Sequence, residues 1–232
     1  MSSAIRARRK QQPEATRSEP GTGKTIAMRS NADLATRDQI LMSAMQWFAR
    51  RGFDGASVNQ IASDAGVPQP LINYHFVNKL GLWTAVVDFL FEELLVELDL
   101  HSGVLKDLDP LDALKVTLRR HLEFNARRPE FFLIAIVEAR EDTDRLRYLM
   151  ERYINRLNRS MEGLILAAQR SGRIKTVPSL NLLEIMVGAS MIFFGQSAGF
   201  RFSESFTDER QQLADRHADL MIDVLFDGLA VR

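Results

Sequence analysis

The sequence predicts an all-α protein, and three observations support that prediction. Apolar residues recur at spacings of three and four over most of the chain. No segment alternates apolar and polar residues at the spacing of two that is typical of a strand. Capping residues, glycines and prolines divide the helical pattern into segments of ordinary helix length. With 232 residues, 46% of them hydrophobic, the chain is long enough to bury a sizeable core.

Composition and charge narrow the possible functions. No stretch reaches the roughly 18 apolar residues of a membrane span, and the start lacks the apolar core of a signal peptide, so we expect a cytoplasmic location. The chain has no cysteine, which excludes disulfides and thiolate metal sites. Its net charge is zero, but residues 1–80 hold 11 Lys and Arg against 6 Asp and Glu, and residues 81–232 hold 19 against 24. A basic front part suits a polyanion, although many basic tails are simply solvated.

Residues 1–34 are predicted to form a disordered basic tail. They are rich in Ser, Thr, Pro, Gln and Gly and have almost no bulky apolar side chains to bury. Within them, Gly21 to Thr25 resembles the end of a phosphate-binding loop, but Ser18 stands where the full pattern requires glycine. A nucleotide-binding enzyme built on this stretch is a remote alternative. Further basic residues could form a flexible arm that contacts phosphates or a minor groove: Arg6, Arg8, Arg9, Lys10, Arg17 and Arg29.

The first two helices are predicted on either side of a glycine turn. A Thr-x-x-Gln capping box at Thr36 precedes apolar residues at helical spacing, and Gly52 is placed to end that helix. A Ser-x-x-Gln box at Ser57 opens the second helix, and Gly66 stops it. Because the second helix is barely two turns long, it has to be stabilised by packing on the first.

A third helix is predicted to begin directly after this turn, because its two prolines suit a first helical turn. Gln69, Asn73 and Tyr74 are left on its outward face, where two amides and a large aromatic side chain have no packing role. A short helix, a glycine turn and a second short helix with a polar outward face form a helix-turn-helix. The second helix of that motif lies in the major groove of DNA.

Several motifs between residues 36 and 90 fall in one register. They are ILMSAMQWFARRGFDG, the hydroxyl of Ser57, Ile61-Ala62, Ala65-Gly66-Val67, Tyr74-x-Phe76 and Lys79. In these motifs the stretch resembles the DNA-binding domain of the TetR family of bacterial transcriptional regulators. The resemblance implies two sets of DNA contacts. Phosphates would be contacted by Ser57, Tyr74, His75 and Lys79, and base edges by Gln69 and Asn73.

Two residues depart from the family pattern. Pro68 cannot supply the side-chain cap that Ser or Thr gives many relatives at this position. Gly81 replaces a commonly acidic or small residue and costs a helix about 1 kcal/mol relative to alanine. These departures leave the fold unaffected and leave the identity of the base contacts open.

The chain is predicted to divide into the tail, a helix-turn-helix DNA-binding domain over residues 35–80, and a helical effector-binding and dimerisation domain over residues 81–232. Asn78 is a plausible N-cap for a long helix, which in the family links the two domains. The later helices are predicted over the ranges Asp109 to Arg127, Pro129 to Glu141, Thr143 to Gly172, Ser179 to Phe200 and Thr207 to Ala230.

The last two helices are expected to form the homodimer interface, as the resemblance implies. Gly188, Gly195 and Gly199 lie within roughly 20° of one line on a helix surface, which lets another helix approach closely. The alternative is close packing within one chain. The resemblance also implies a pocket for a small, largely apolar effector. Candidate contacts are Asn125, Glu138, Phe194 and Gln196, although residues of these types in such stretches are more often ordinary core or surface residues than ligand contacts.

These features predict a homodimeric repressor that binds a palindromic operator in double-stranded DNA and is released by a small-molecule effector. An activator or dual regulator of the same fold and a pure interaction module are the alternatives. The four histidines, at positions 75, 101, 121 and 217, are scattered, and Ser190 lacks the glycines of a nucleophile elbow. We therefore expect no catalysis, no metal site and no cofactor.

Overall fold

The computed structural model describes residues 31–98, 105, 107–195 and 210–229. Within these ranges the regular structure is helical and contains no strand, which confirms the all-α prediction. None of the helices described is both long and apolar enough to pass through a bilayer. The tail up to residue 30 lies outside the described residues.

Four helices build the N-terminal part of the molecule. They are α1 (Asn31–Gly55), α2 (Val58–Asp64), α3 (Pro70–Phe76) and α4 (Lys79–Leu98). The long α1 is interrupted at Gly52, whose φ of 68° and ψ of 178° are not helical. This break turns the last residues of α1 towards the C-terminal helices.

Two details of the predicted helix starts are wrong. Residues 31–34 are helical rather than disordered, so α1 begins before Thr36, and the Thr36 hydroxyl donates to the carbonyl of Ala32 (2.9 Å) instead of capping. Ser57 is the N-cap of α2, but its side chain makes no capping hydrogen bond. Thr36 thus lies inside α1, whereas Ser57 stands at the predicted start of α2 without capping it through its side chain.

The C-terminal part is also a set of packed helices. Asp109 and Thr143 cap two of them as predicted, accepting from the amides of Leu111 (3.0 Å) and Leu146 (3.1 Å). The helix predicted to end at Glu141 is three residues shorter, and the long helix after Thr143 contains a π-helical segment. The elements are α5 (Pro110–Arg127), α6 (Pro129–Glu138), α7 (Asp144–Leu149), the π segment (Met150–Ile154), α8 (Asn155–Arg170), α9 (Ser179–Gly195) and α10 (Arg210–Leu229).

Two hydrophobic cores hold these helices together. The first core joins α1 to α4 with α6, α7, the π segment and Phe124 of α5. The second core joins α5, α8, α9 and α10. Helix α5 contributes to both, because Phe124 lies in the first core while Leu118 and Leu122 lie in the second. The first core thus crosses residue 80, and the domain division predicted there stays a prediction.

Candidate nucleic-acid interface and buried cavity

The turn between α2 and α3 is held by backbone hydrogen bonds. Gly66 has a φ of 67°, a conformation that favours glycine, and the amide of Val67 donates to the carbonyl of Ala62 (3.0 Å). Two side chains of α1 form hydrogen bonds with α2. The Ser43 hydroxyl donates to the carbonyl of Ile61 (3.1 Å), and Trp47 Nε1 donates to Asp64 Oδ2 (2.5 Å). The turn is therefore rigidly placed on α1.

Helix α3 presents the polar face that the sequence predicts. Ile72 and Phe76 are buried beneath it, whereas Gln69 and Asn73 are exposed and Tyr74 is 69% exposed. The exposed face carries amide and phenol groups and no charge of its own. Such groups can donate to and accept from base edges, and the phenol can donate to a phosphate.

The two other predicted phosphate contacts, Ser57 and Lys79, flank this face. Ser57 is half-buried at the start of α2, with its hydroxyl not used for capping. Lys79 begins α4, and its ammonium donates to the carbonyl of Asp54 (3.4 Å) and lies 4.7 Å from the ring centre of Phe53. Lys79 thus holds the start of α4 against the end of α1 while remaining half-exposed.

His75 does not fit the predicted phosphate contact. Its side chain is only 1% exposed, with Nε2 3.7 Å from Asp33 Oδ1, and its ring packs edge-on against Tyr74. The physical reason is its position on α3, which turns the imidazole under the first turn of α1 rather than towards solvent. His75 therefore joins α3 to the beginning of α1.

The turn from α3 to α4 contains a feature that the sequence analysis misjudged. Val77 has a φ of 70°, rare for a β-branched residue, and the amide of Asn78 donates to the carbonyl of Phe76 (2.8 Å) across it. A Cβ at Gly81 would lie 2.1 Å from that same carbonyl oxygen. Gly81 is thus not a simple cost to α4, because this tight turn leaves no room for a side chain there.

Arg37 is a further candidate contact that the sequence analysis missed. It lies on α1, its guanidinium carbon is 5.2 Å from the ring centre of Phe76, and its side chain is 32% exposed. A cation at this place lies beside the C-terminal end of α3. The signal available in the sequence was a basic residue next to the predicted cap Thr36.

The predicted effector contacts do not come together in one pocket. Glu138 is paired with Arg145, whose Nε lies 3.0 and 3.1 Å from the two carboxylate oxygens. Burial raises the pKa of Glu138, and Arg145 opposes that rise. Asn125 is fully buried with both side-chain polar atoms unpaired, and Phe194 is buried in the second core. Gln196 lies outside the described residues.

A different group of residues lines a small cavity of about 20 Å³, room for about one water molecule. The cavity lies where the two cores meet. Leu98 belongs to the first core, Leu118 to the second, and Leu157 and Val187 pack against both. We call this place the core boundary. Its lining is Leu98, Leu118, His121, Leu157, Asn158, Met161, Leu183, Met186 and Val187.

The main polar group at the core boundary is a buried histidine. His121 packs edge-on against Phe132 (5.7 Å between ring centres), and its Nε2 has no hydrogen-bond partner. Burial lowers the pKa of His121 to about 4, so the ring is neutral at pH 7. A neutral imidazole offers one donor and one acceptor. The cavity is therefore apolar with an uncharged hydrogen-bonding group in its wall.

Helices α9 and α10 carry apolar residues on their outer surfaces. Ile185 and Ile192 are exposed on α9, and Leu220 and Val224 on α10. Between the two isoleucines, a Cβ at Gly188 would have no atom within 4 Å. Of the other two glycines in the predicted stripe, Gly195 is the last described residue of α9, and Gly199 lies outside the described residues. Among the residues described, no three His, Asp or Glu side chains could share a metal ion.

Comparison with known proteins agrees with the arrangement of α1 to α4. Residues 40–86 match the family described as bacterial regulatory proteins, tetR family. The transcriptional regulator RutR of Escherichia coli K12 is 28% identical over 170 residues, which cover 73% of this chain and 78% of RutR. The transcriptional repressor NicS of Pseudomonas putida is 31% identical over 122 residues, which cover 50% of this chain and 54% of NicS.

Solved structures share the fold over most of the chain. AibR, in a complex with isovaleryl coenzyme A and operator DNA, superposes with a TM-score of 0.66 at 18% identity and covers 82% of this chain and 98% of its own. FadR from Bacillus subtilis, in a complex with stearoyl-CoA, gives a TM-score of 0.59 at 17% identity, covering 83% and 98%. At these identities the likeness concerns the fold alone.

Proposed function

We propose, for a chain that belongs to the TetR family of bacterial transcriptional regulators, that it is a homodimeric repressor of a palindromic operator. The observation that carries this proposal is the exposed, uncharged polar face of α3 behind the Gly66 turn. Amide side chains placed in a major groove pair with base edges. The protein acts in the cytoplasm, where bacterial operator DNA lies, and it catalyses no reaction.

The side chains of the proposed interface divide into two roles. Gln69 and Asn73 face base edges, where an amide can bond adenine through two hydrogen bonds. The hydroxyls of Ser57 and Tyr74 and the cations of Lys79 and Arg37 surround them and contact phosphates. Phosphate contacts set the register of the protein on DNA without reading its sequence.

Selection of duplexes from a random pool tests this proposal and yields the operator. Asn73→Ala should relax the preference at one base pair by about 1–3 kcal/mol, whereas Tyr74→Ala should weaken binding to all sequences about equally. Gln46→Ala, which removes an exposed amide from α1, is the matched control and should change neither. Recovery of no preferred sequence by the wild-type protein would contradict the proposed function.

The dimer interface is proposed on α9 and α10. Four large apolar side chains, Ile185, Ile192, Leu220 and Val224, are each more than half exposed there, and the open space at Gly188 allows close approach of a second helix. Large apolar side chains left exposed together are typical of interaction sites. A two-fold arrangement of the two helices with those of a second copy would cover all four side chains.

Analytical ultracentrifugation tests the dimer. The wild-type protein should sediment as a dimer at micromolar concentration, and the double variant Ile192→Arg/Val224→Arg as a monomer with operator affinity reduced at least about tenfold. Val96→Arg introduces the same charge at a 79% exposed valine of α4 and should leave the dimer intact. A monomeric wild-type protein would rule out this arrangement.

The effector site is proposed at the core boundary. His121 supplies a neutral hydrogen-bonding group, and the other lining side chains are apolar apart from Asn158. Among the residues that the structure describes, the lining contains no Lys or Arg that could pair with an anion. These properties favour a neutral, largely apolar effector with one hydrogen-bonding group. The AibR and FadR structures hold acyl coenzyme A molecules, whose phosphates would find no cation in this lining.

Release follows from where the cavity lies. An effector larger than one water has to separate the lining side chains, and two of them, Met161 and Met186, are unbranched and adapt readily. Such separation moves Leu98, which is the last residue of α4. The first turn of the same helix contacts α1 and α3, so a shift of α4 reaches the proposed DNA-binding helices. The protein then has two positions of α4, one that binds DNA and one that does not. The effector weakens DNA binding only to the extent that it binds the second position more tightly than the first.

Thermal shift with matched neutral and anionic compounds, such as benzamide against benzoate, tests the ligand class. Compounds that stabilise the wild-type protein and release it from the operator should be neutral, and His121→Leu should remove both effects. Phe194→Ala, which truncates a buried ring away from the lining, is the control for general loosening. An anionic effector that acts equally on His121→Leu would contradict this site.

A further inference from the structure

The turn between α3 and α4 holds its central residue in an unfavourable conformation. Val77 has a φ of 70° and a ψ of −51°, and the amide of Asn78 donates to the carbonyl of Phe76 (2.8 Å) across it. These values define a γ-turn of the rare, strained kind. A β-branched side chain suits a positive φ least, and every other residue with a positive φ in the described part of the chain is a glycine.

The packing of this turn imposes the strain on Val77. Asn78 Oδ1 accepts from the amide of Gly81 (2.8 Å), and the absence of a side chain at Gly81 leaves room for the Phe76 carbonyl beside the first turn of α4. Glycine at position 77 would adopt the same γ-turn without strain. Strained residues of other types cluster at functional sites, so the valine side chain is a candidate for a functional contact.

The side chain of Val77 is left in solvent. It is 77% exposed. As far as the structure describes the chain, Val77 belongs neither to the two cores nor to the apolar side chains packed against them. An apolar side chain stabilises a protein when it is buried, so the isopropyl group of Val77 does not offset the strain of its own backbone. A contact that does so has to lie outside the chain.

The position of Val77 indicates what that contact is. Its amide donates to the carbonyl of Asn73 (3.0 Å), so Val77 stands one helical turn beyond Asn73, and the intervening Tyr74 is also exposed. Val77 thus ends the exposed face of α3 that the proposed function places in the major groove. The base edges in that groove present one apolar group, which is the 5-methyl group of thymine. An exposed isopropyl group is complementary to it.

We propose that Val77 is a specificity-determining residue, whose isopropyl group packs on the 5-methyl group of one thymine in each half of the operator. The proposal rests on the proposed function, because it assumes that α3 lies in the major groove. It adds a thymine to the bases read by Gln69 and Asn73. The strain lowers the stability of the protein, whereas the contact raises operator affinity. Removing the side chain should therefore change these two quantities in opposite directions.

Val77→Gly tests this opposition. Its thermal unfolding midpoint should rise by about 2–4 °C, because the strain is removed. Its affinity for the operator recovered by selection, measured by fluorescence anisotropy at constant salt, should fall about four- to tenfold, because one or two methyl groups lose their apolar contact. Val77→Ile keeps a β-branched apolar side chain and should bind as tightly as wild type. Val96→Ala truncates a valine of matched exposure, 79%, near the C-terminal end of α4 and should leave the affinity unchanged.

The operator provides an independent test of the thymine contact. Each thymine is replaced in turn by uracil, which removes only the 5-methyl group. The wild-type protein should lose about fourfold in affinity at one position of each half-site. Val77→Gly should lose less than about twofold at the same position, because the contact is already absent. This difference between the two proteins measures the contact itself.

The possible failures are distinguishable. If Val77→Gly bound the operator as tightly as wild type, or if uracil weakened both proteins equally, Val77 would read no thymine and the proposed function would stand. If Val77→Gly weakened binding to the operator and to unrelated duplexes equally, with no effect of uracil, the isopropyl group would contact deoxyribose, which also overturns the assignment. A lower unfolding midpoint for Val77→Gly would contradict the strain. If the wild-type protein preferred no sequence, this proposal and the proposed function would both fail.

Discussion

The carboxylates of the first core and the imidazole at the core boundary differ in their hydrogen bonding. In the first core, carboxylates have partners from other helices. Glu138 of α6 pairs with Arg145 of α7, and Asp88 of α4 accepts from the phenols of Tyr148 (2.6 Å) and Tyr153 (2.7 Å). At the core boundary, by contrast, the buried His121 Nε2 has no partner.

This difference suggests two separate roles: the first core attaches helices to one another, and the core boundary binds a ligand. Paired groups in the first core fix α1 and α4 to the C-terminal helices, because breaking a buried pair leaves an uncompensated charge. An unpaired neutral group costs less, and it retains a hydrogen bond that a ligand can make. The first core therefore transmits a change of position, and the core boundary is where such a change can begin. The following predictions test this contrast.

The largest expected effect is at Arg145. Its guanidinium binds a Glu138 side chain that is 3% exposed, and it lies 4.2 Å from the ring centre of Phe53 at the end of α1. Arg145→Met leaves the carboxylate buried and unpaired, so the free energy of unfolding should fall by about 3–5 kcal/mol. Urea denaturation measures this change.

The double variant Glu138→Leu/Arg145→Met distinguishes the contribution of the ion pair from that of side-chain packing. It should recover most of the lost stability, because no buried charge remains. Arg147→Met breaks an exposed pair with Asp144 on the same helix and should cost less than about 1 kcal/mol. Equal losses for Arg145→Met and Arg147→Met would show that the first core does not depend on this pair.

The second effect is a pH dependence at the core boundary. Below pH 6.5 the imidazole of an unfolded chain takes up a proton, whereas folded His121 resists protonation until about pH 4. Acid therefore favours the unfolded state, by about 3 kcal/mol once the pH has fallen to 4. His121→Leu removes this contribution, so its stability relative to wild type should rise steadily between pH 6.5 and pH 4.

Chemical denaturation at a series of pH values measures the difference between the two proteins. Taking the difference cancels groups common to both, including His217, whose pKa burial also lowers. A constant difference over this range would mean that folded His121 takes up a proton as readily as it does in the unfolded chain. Burial would then not keep the ring neutral below pH 6.5, and the basis of the proposed ligand class would be wrong.

Much of the first core could be predicted from sequence, because its signals are local. Asn78 was identified as a cap from its place before an apolar run, and its Oδ1 accepts from the amide of Gly81 (2.8 Å). The outward face of α3 followed from helical periodicity alone. Periodicity assigns a side chain to a face of its helix, but it does not say which neighbour covers that face. For this reason the inward position of His75, the pairing of Glu138 with Arg145 and the cavity beside His121 were not predicted.

The third effect tests the turn between α3 and α4. Gly81→Ala places a Cβ 2.1 Å from the carbonyl oxygen of Phe76, so the turn has to open. We expect a loss of about 2 kcal/mol in the free energy of unfolding, typical of overpacking, together with weaker operator binding. Gly163→Ala in α8 meets no atom within 4 Å and should instead stabilise the protein by up to about 1 kcal/mol. Equal effects at both sites would show that the close approach at Gly81 is not required.

The smallest expected effect is at Tyr148, where removing one partner leaves another in place. Burial, together with the bond to Asp88, raises the pKa values of both phenols, that of Tyr153 to about 12, so both remain donors over the physiological range. Tyr148→Phe should cost about 1.5 kcal/mol, as for a hydrogen bond to a charged acceptor. The ring keeps its edge-on contact with Trp83.

The pair of tyrosines allows a sharper test than either alone. Tyr148→Phe and Tyr153→Phe each leave Asp88 one phenol donor, whereas the double variant leaves it none. The double variant should therefore lose more stability than the two single losses added together, by about 0.5 kcal/mol or more in a double-mutant cycle. Because Asp88 lies in the middle of α4, this coupling measures how firmly α4 is attached to the π segment and α7. Additive losses would mean that the carboxylate holds α4 through one phenol at a time, and the contrast between the paired carboxylates of the first core and the unpaired His121 at the core boundary would be weaker than the geometry indicates.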